Sequence, residues 1–456
     1  MMGMGRRKRE RQQEFWVATG SLPGVPRHVF YEKLNGVLAE GGFDAFVEEW
    51  CEPFYAAGAG RDSIPPGVYF RMLFVGYFEG IDSQRGIAWR CADSRSLARF
   101  LDYGPNEATP DHSSLTRIRD RLPLEIHEQV FAFVLSVAED HGLLANKTVA
   151  VDSTFLEANA AMKSIVRQET GEDWKEYVKR LAAAEGIALE TDEELRKYDK
   201  HRKNKRVSND EWESETDGDS RIMKLKDGRT HLAYKAEHTI DLESEFLLDA
   251  TVYHGNESDS ATLLASVTSA QKNLDEAGVD RDIEEAVADK GYHKNETLAD
   301  CREWGVSGLR TYIPEPDSPY DRRWTDKPLE YKEAVYANRR RVKGNRGKRL
   351  QKKRSEFVER SFAHVCETGG ARRTWLRGVE KINKRYKTQV AARNLGLVMR
   401  ALFGIGKPRC GQGGFSLLYL PQVVISTFRT LRRPSDRPSP ATRRYQQNNQ
   451  ALTAAV

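Results

Sequence analysis

Apolar residues recur every three or four positions through HVFYEKLNGVL, FDAFVEEWCEPFY and GVYFRMLFVGYFEGI, and this spacing predicts amphipathic helices from Arg27 to Leu144. Gly and Pro fall between these runs, where helices end. From Gly80 to Leu122 the pattern shortens to small helices joined by tight turns. Asp111 or Ser113 can cap the last of them, because a short side-chain oxygen accepts from the unpaired N–H groups of a first helical turn. Arg117, Arg119 and Arg121 lie on that helix. The segment therefore reads either as a helix-turn-helix-like module for duplex DNA or as part of an all-helical packing unit.

After Asn146 the texture changes. KTVAVDSTFLEA is a β-branched run that predicts a buried central strand ended by Asp152. Residues 156–230 are dense in charge and helical in spacing, as expected of an insertion lying outside a sheet. THLAYKAEHTIDL and EFLLDATVYH then alternate apolar and polar residues about Glu243-Ser244, the signature of a hairpin. A helix over Ser260–Ala277, a strand in IEEAVADKGY, a helix from Asn295, a strand in GLRTYIP and a helix over Ser355–Val365 complete the order. Hairpin and βαβ units in one segment predict an α/β domain, a mixed sheet flanked by helices. The expected divisions are a basic segment 1–26, a helical domain 27–146, an α/β domain 147–404 with its insertion at 156–230, and a tail 405–456 rich in Pro, Gly and Arg.

With 456 residues, more than one domain is expected. The 72 Lys and Arg against 67 Asp and Glu leave a charge of only +5, so distribution carries more meaning than the sum. Basic residues crowd at Arg6–Arg11, Arg339–Arg354 and Arg429–Arg444, which suggests a polyanionic partner. The five cysteines, at 51, 91, 301, 366 and 410, form no zinc-type spacing and read as reduced thiols of a cytoplasmic protein. No run approaches the ~20 apolar residues of a membrane span. MMGMGRRKRERQQEF lacks the apolar stretch of a secretion signal.

Asp152 and Asp289 both follow apolar strand runs, and acids at strand ends project into the crevice where α/β sheets bind ligands. Two such acids on neighbouring strands repel, and a divalent metal is the simplest counterweight. Mg2+ takes oxygen ligands and is commonly held by one or two carboxylates plus substrate phosphate. A third acid is expected from the helix SEFVERSFAHVCE, which offers Glu356, Glu359 and Glu367. Glu359, at the margin of the side marked by Phe357, Val358, Phe362 and Val365, is chosen, with Glu356 its competitor. Trp324 in SPYDRRWTDKP is either a packed loop residue or a stacking platform for an unstacked base. His238 and His254 read as structural.

VAVDST, HLAYKAEHTIDL, VADKGY and EFVERSFAHV, in this order, resemble the RNase H-like catalytic domain of bacterial insertion-sequence DDE transposases. PDHSSLTRIRDRL resembles the segment that precedes its first strand, so the resemblance spans Phe30–Met399. It implies that Asp152, Asp289 and Glu359 are catalytic and hold two Mg2+ ions, with Mn2+ able to substitute. It also implies cleavage at terminal inverted repeats, strand transfer to target DNA, and a homo-oligomer, at least a dimer, that associates with the nucleoid when bound. The Tyr, Arg and Lys companions that many relatives carry around this Glu are absent: Lys352, Ser355 and Cys366 stand there. Arg339, Arg340, Arg341, Lys343, Arg346, Lys348, Arg349, Lys352, Lys353, Arg354 and Arg360 are the expected phosphate contacts. Two other readings stay open: a non-cutting DNA-binding regulator, and an RNase H-like nuclease without strand transfer.

Overall fold

The computed structural model describes residues 28–56, 63–145, 147–203, 206, 208–225, 227–318 and 322–408. The basic runs at 6–11 and 429–444, the 1–26 segment, most of the tail and Cys410 lie outside the described residues.

Seven helices open the chain: α1 (Val29–Glu40), α2 (Phe43–Cys51), α3 (Pro66–Glu79), α4 (Gln84–Asp93), α5 (Arg95–Phe100), α6 (His112–Arg121) and α7 (Leu124–Asp140). Their apolar faces meet where the spacing predicts, and Phe30, Phe43, Phe70, Phe74 and Phe131 are fully buried. Ser83 and Ser94 cap α4 and α5, and Asp111 caps α6 by accepting from the Ser113 N–H. Gly41 and Gly42 turn the chain between α1 and α2, and Gly42 has φ 73°, a left-handed conformation in which a side chain would clash with the backbone.

A mixed six-stranded sheet follows. It comprises β1 (Thr148–Glu157), β4 (Arg221–Lys224), β5 (Thr230–Asp241), β6 (Leu247–His254), β7 (Glu285–Val287) and β8 (Arg310–Tyr312). β5 lies antiparallel to β1, and β4 and β6 pair with β5; on the other side of β1, β7 and then β8 run parallel to their neighbours. The turn after β5 includes Glu245 at φ 65°, close to the predicted hairpin position. Of the span 156–230 expected outside the sheet, α8 (Trp174–Ala184) and α9 (Asp192–His201) form as the spacing predicts, and β2 (Ile165–Arg167) and β3 (Trp212–Ser214) make a small separate sheet, but β4 belongs to the main sheet through its pairing with β5. These short strands are built partly from polar residues, so no alternation announced them.

α10 (Asp259–Glu276) covers one face of the sheet, α11 (Asn295–Glu303) joins β7 to β8, and α12 (Leu329–Lys343), α13 (Asn345–Phe362) and α14 (Val379–Phe403) close the domain. A π-helical turn, Ala363–Thr368, follows α13. This mixed sheet with flanking helices and a helical N-terminal region is the RNase H-like arrangement.

The sequence pattern does not predict α14, because almost its whole circumference is buried. Its polar residues are consumed inside. Asn383 bonds both the N–H and the carbonyl of Val252, and Asn394 does the same for Leu247, so amide side chains cover the free edge of β6. Asn338 of α12 treats Ile313, just past β8, identically. Lys387 forms a buried ion pair with Asp249 at 2.5 Å. α14 also packs on α3 and α7, which joins the N-terminal helices and the sheet in one apolar core. Cys51, Cys91, Cys301 and Cys366 are buried free thiols. Among the described residues no helix is long and apolar enough to cross a membrane.

Candidate active site

β1 and β7 are neighbours at the centre of the sheet; β1 carries Asp152, and the turn that follows β7 carries Asp289. Asp152 sits in the middle of β1 and does not close it as the pattern predicts: pairing with the long β5 keeps Ser153–Glu157 in the ladder although their side chains are mostly half-exposed. Asp289 stands two residues past β7 and caps the 3-10 turn Lys290–Tyr292, accepting from the Gly291 N–H at 2.7 Å. Asp152 pairs in register with His238, so both side chains project to the same face of the sheet, the one crossed by α13.

α13 is pinned across the strand ends at regular intervals. Arg346 pairs with Glu285 of β7 at 2.5 Å. The Gln351 amide donates to the Ala288 and Tyr312 carbonyls. Arg354 donates to Asp152 Oδ2 at 2.5 Å, and Ser361 bonds the His238 imidazole. Residues 351, 354, 358 and 361 thus form the face that meets the sheet, at the three- and four-residue spacing of a helix.

Glu359 lies off that face. It is exposed and accepts from the Ser355 hydroxyl, one turn earlier, at 3.3 Å. Glu356 pairs with Arg360, which also reaches Glu245. The acid that does stand beside the aspartates is one that the sequence pattern does not single out. Asp259, at the start of α10, takes the Ser153 hydroxyl at 3.0 Å and the Lys235 ammonium at 2.9 Å on one oxygen. A methyl placed on Gly291 would lie 2.9 Å from the other Asp259 oxygen and 3.0 Å from an Asp289 oxygen, so the two carboxylates flank one point. The signal in the sequence is slight: an acid following Ser258 at a helix start, usually a dipole partner and nothing more.

Burial pushes the Asp152 carboxyl up to about 6; Arg354 and the Ser153 N–H oppose that shift, whereas the Asp289 and Asp259 charges reinforce it. Among the described residues no three acidic, histidine or cysteine groups are gathered closely enough to hold a metal by themselves. Two carboxylates on adjacent strands nonetheless fit a hard cation that takes its remaining oxygens from water and substrate phosphate.

Residues 318–398 match the family described as Transposase DDE domain, and residues 23–121 match the one described as Transposase domain (DUF772). Both matches support an insertion-sequence DDE transposase. Neither a curated protein nor a solved structure matches it. Enzymes of this family act on DNA, generally with a divalent metal, in the movement of mobile elements. The first-named match takes in α12, α13 and most of α14, including Glu359, and lies wholly after Asp152 and Asp289.

The remaining expected contacts separate by environment. Arg339 is paired with Glu315, Arg341 with Thr311, Arg346 with Glu285, Arg354 with Asp152 and Arg360 with Glu245 and Glu356. Arg340, Lys343, Lys348, Arg349, Lys352 and Lys353 have no ion-pair partner among the described residues. On α6, Arg117 is exposed and Arg121 lies over the Tyr55 ring, whereas Arg119 is buried and its carbonyl accepts from Lys384. Trp324 is partly buried, tilted against Tyr336 and flanked by Arg322 and Lys327, a packed loop residue in this conformation. His238 is wholly buried and His254 bonds the Asp219 carbonyl, in keeping with structural roles.

Proposed function

We propose that the chain binds the terminal inverted repeats of an insertion sequence and catalyses metal-dependent strand cleavage followed by strand transfer. The observation that carries this reading is the placement of Asp152 on β1 and of Asp289 just past the adjacent β7, beneath a basic helix. In this reading Asp152 and Asp289 hold Mg2+ or Mn2+, two ions per site, with Glu359 as the third acid. The bound metal supplies activation of the attacking oxygen and charge stabilisation of the leaving 3′ oxygen. Arg354, released from Asp152, is placed to take a phosphate oxygen through its planar guanidinium. Lys348, Lys352 and Glu359 fall on one stripe of α13, so a backbone tracked by the lysines is led toward Glu359. The helical region 27–146 is the proposed recognition unit, the sheet region 147–404 the catalytic one, and the working assembly at least a dimer.

The deciding assay offers the full chain a labelled terminal-repeat duplex and a target plasmid in Mg2+ or Mn2+. Nicked ends and joined products are expected. Binding without cutting would instead identify a DNA-binding regulator, and cutting without joining a nuclease.

Glu359→Gln is expected to slow cleavage at least ~10-fold more than Glu356→Gln, because an uncharged amide is a poor ligand for a hard cation. The reverse ranking would make Glu356 the third acid. For DNA affinity, neutralising Arg340, Lys343, Lys348, Arg349, Lys352 and Lys353 together is expected to flatten the dependence of log K on log salt, by ~0.9 for each phosphate that the protein no longer neutralises. An unchanged slope would remove α12 and α13 from the DNA interface.

A further inference from the structure

On the face of the sheet that carries α10, opposite α13, lies a run of buried polar groups that the proposed chemistry does not use. It begins at Tyr292, three residues after Asp289, whose fully buried phenol donates to Glu237 on β5 at 2.9 Å. Glu237 also takes the hydroxyls of Thr262 at 2.7 Å and Ser266 at 2.5 Å, and pairs with Lys235 at 3.2 Å. The Lys235 ammonium, itself buried, continues to Thr262 and to Asp259. Asp259 takes the Ser153 hydroxyl, and the Ser153 N–H donates to Asp152 Oδ1 at 2.8 Å. A continuous chain of hydrogen bonds and ion pairs therefore joins the turn bearing Asp289 to the residue beside Asp152.

Stability alone is a poor reason for such a chain. Taking a lysine and a glutamate out of water costs several kcal/mol, and apolar residues of the same volume often do as well or better. What a fully bonded polar network does supply is a unique geometry. β7 is only three residues long, and Asp289 lies beyond it, so the ladder by itself holds that aspartate loosely. Gly291 lets the Asp259 and Asp289 carboxylates approach one point.

We infer that the chain Tyr292–Glu237–Lys235–Asp259–Ser153 is a positioning device that sets the separation of Asp152 and Asp289, with Tyr292 and Lys235 as positioning residues. The inference rests on the reading of those two aspartates as a divalent-metal pair. Tyr292→Phe keeps the buried ring and removes only the hydroxyl; Lys235→Met keeps the stem and removes the charge.

The test titrates Mn2+ into the full-length wild type, Tyr292→Phe, Lys235→Met, Asp152→Asn and Asp289→Asn, reading free Mn2+ by electron paramagnetic resonance, with far-UV circular dichroism and melting recorded without metal. Tyr292→Phe is expected to fold as wild type, to bind Mn2+ at least tenfold more weakly, and to cleave at an unchanged limiting rate once metal is saturating. Lys235→Met should follow the same pattern if it folds, and Tyr292→Phe carries the test if it does not. Wild-type Mn2+ affinity in folded Tyr292→Phe, with Asp152→Asn and Asp289→Asn impaired, would overturn the positioning role alone. Wild-type affinity in Asp152→Asn and Asp289→Asn would overturn the metal-pair reading beneath it.

Discussion

Asp152→Asn and Asp289→Asn should each lower metal-dependent cleavage of a terminal-repeat duplex by at least ~1,000-fold, about 4 kcal/mol in the activation barrier. Terminal-repeat binding should remain, because the exposed cations of α12 and α13 do not depend on either aspartate. Both variants should also fold. Asp152 is a carboxylate held against its preference, pushed up to about 6 by burial with two acids nearby. Replacing it removes the cost of burying that charge, which offsets leaving Arg354 without its partner. Melting temperatures without metal should thus stay within a few degrees of wild type. Added Mn2+ should raise the wild-type melting temperature and not that of Asp152→Asn, since a ligand stabilises only the form that binds it. A variant that cuts at half the wild-type rate would sink the assignment of that aspartate; one that fails to bind the ends as well would point to a structural role.

Acid should unfold the transposase well before its carboxylates are fully protonated. His127 is completely enclosed between α3 and α7, with one ring nitrogen against the Tyr69 hydroxyl and the other against the Pro123 carbonyl. Burial lowers its pKa to about 3, with Lys384 and Arg119 adding to that shift against the opposing Pro123 carbonyl. Burial lowers His238 as well, helped by Arg393. A histidine whose folded pKa lies below its unfolded one binds its proton preferentially in the unfolded chain. Its contribution to stability is therefore complete above pH 6.5 and drains away as pH falls from 6.5 toward 3. At pH 4.5, His127 alone should have given up roughly 2–3 kcal/mol. Asp152 and Glu237, raised by burial, act in the opposite sense, Asp152 from about pH 6 downward, and blunt the loss. Denaturant melts at pH 7.5 and 4.5 should show a clear drop in midpoint for the wild type and a smaller one for His127→Gln, which starts less stable. Equal drops would mean that other groups set the acid limit.

Much of the fold was legible because most elements present one face to the core. The helices α1 to α3, the β5–β6 hairpin, and the alternation of strand and helix from α10 to β8 all announce themselves by period. α14 escaped because a helix buried all round has no polar stripe, and the polar residues that interrupt its apolar pattern bond to strand edges instead of water. The extension of β1 beyond Asp152 escaped for a related reason: Ser153–Glu157 stay in the sheet by pairing with β5, which their own side chains do not disclose. Trp324 illustrates the limit for single residues. A tryptophan in a charged loop suits base stacking or packing equally well, and only the neighbouring Tyr336, Arg322 and Lys327 distinguish them.

The sequence by itself determined most of the element order, though not β2 to β4, α12 or α14, together with the α/β class, the basic stretch 339–354 and the two aspartates that follow apolar strand runs. These are one-dimensional properties, set by residue type and spacing along the chain. Tertiary structure alone decided which groups meet across it. It brought Asp259 beside Asp152 and Asp289, placed Arg354 on Asp152, turned Glu359 to the outer flank of α13, and separated the paired arginines from the free cations of one basic run. Such meetings depend on helix rotation and on the approach of strands distant in sequence, and no local pattern in the chain encodes either.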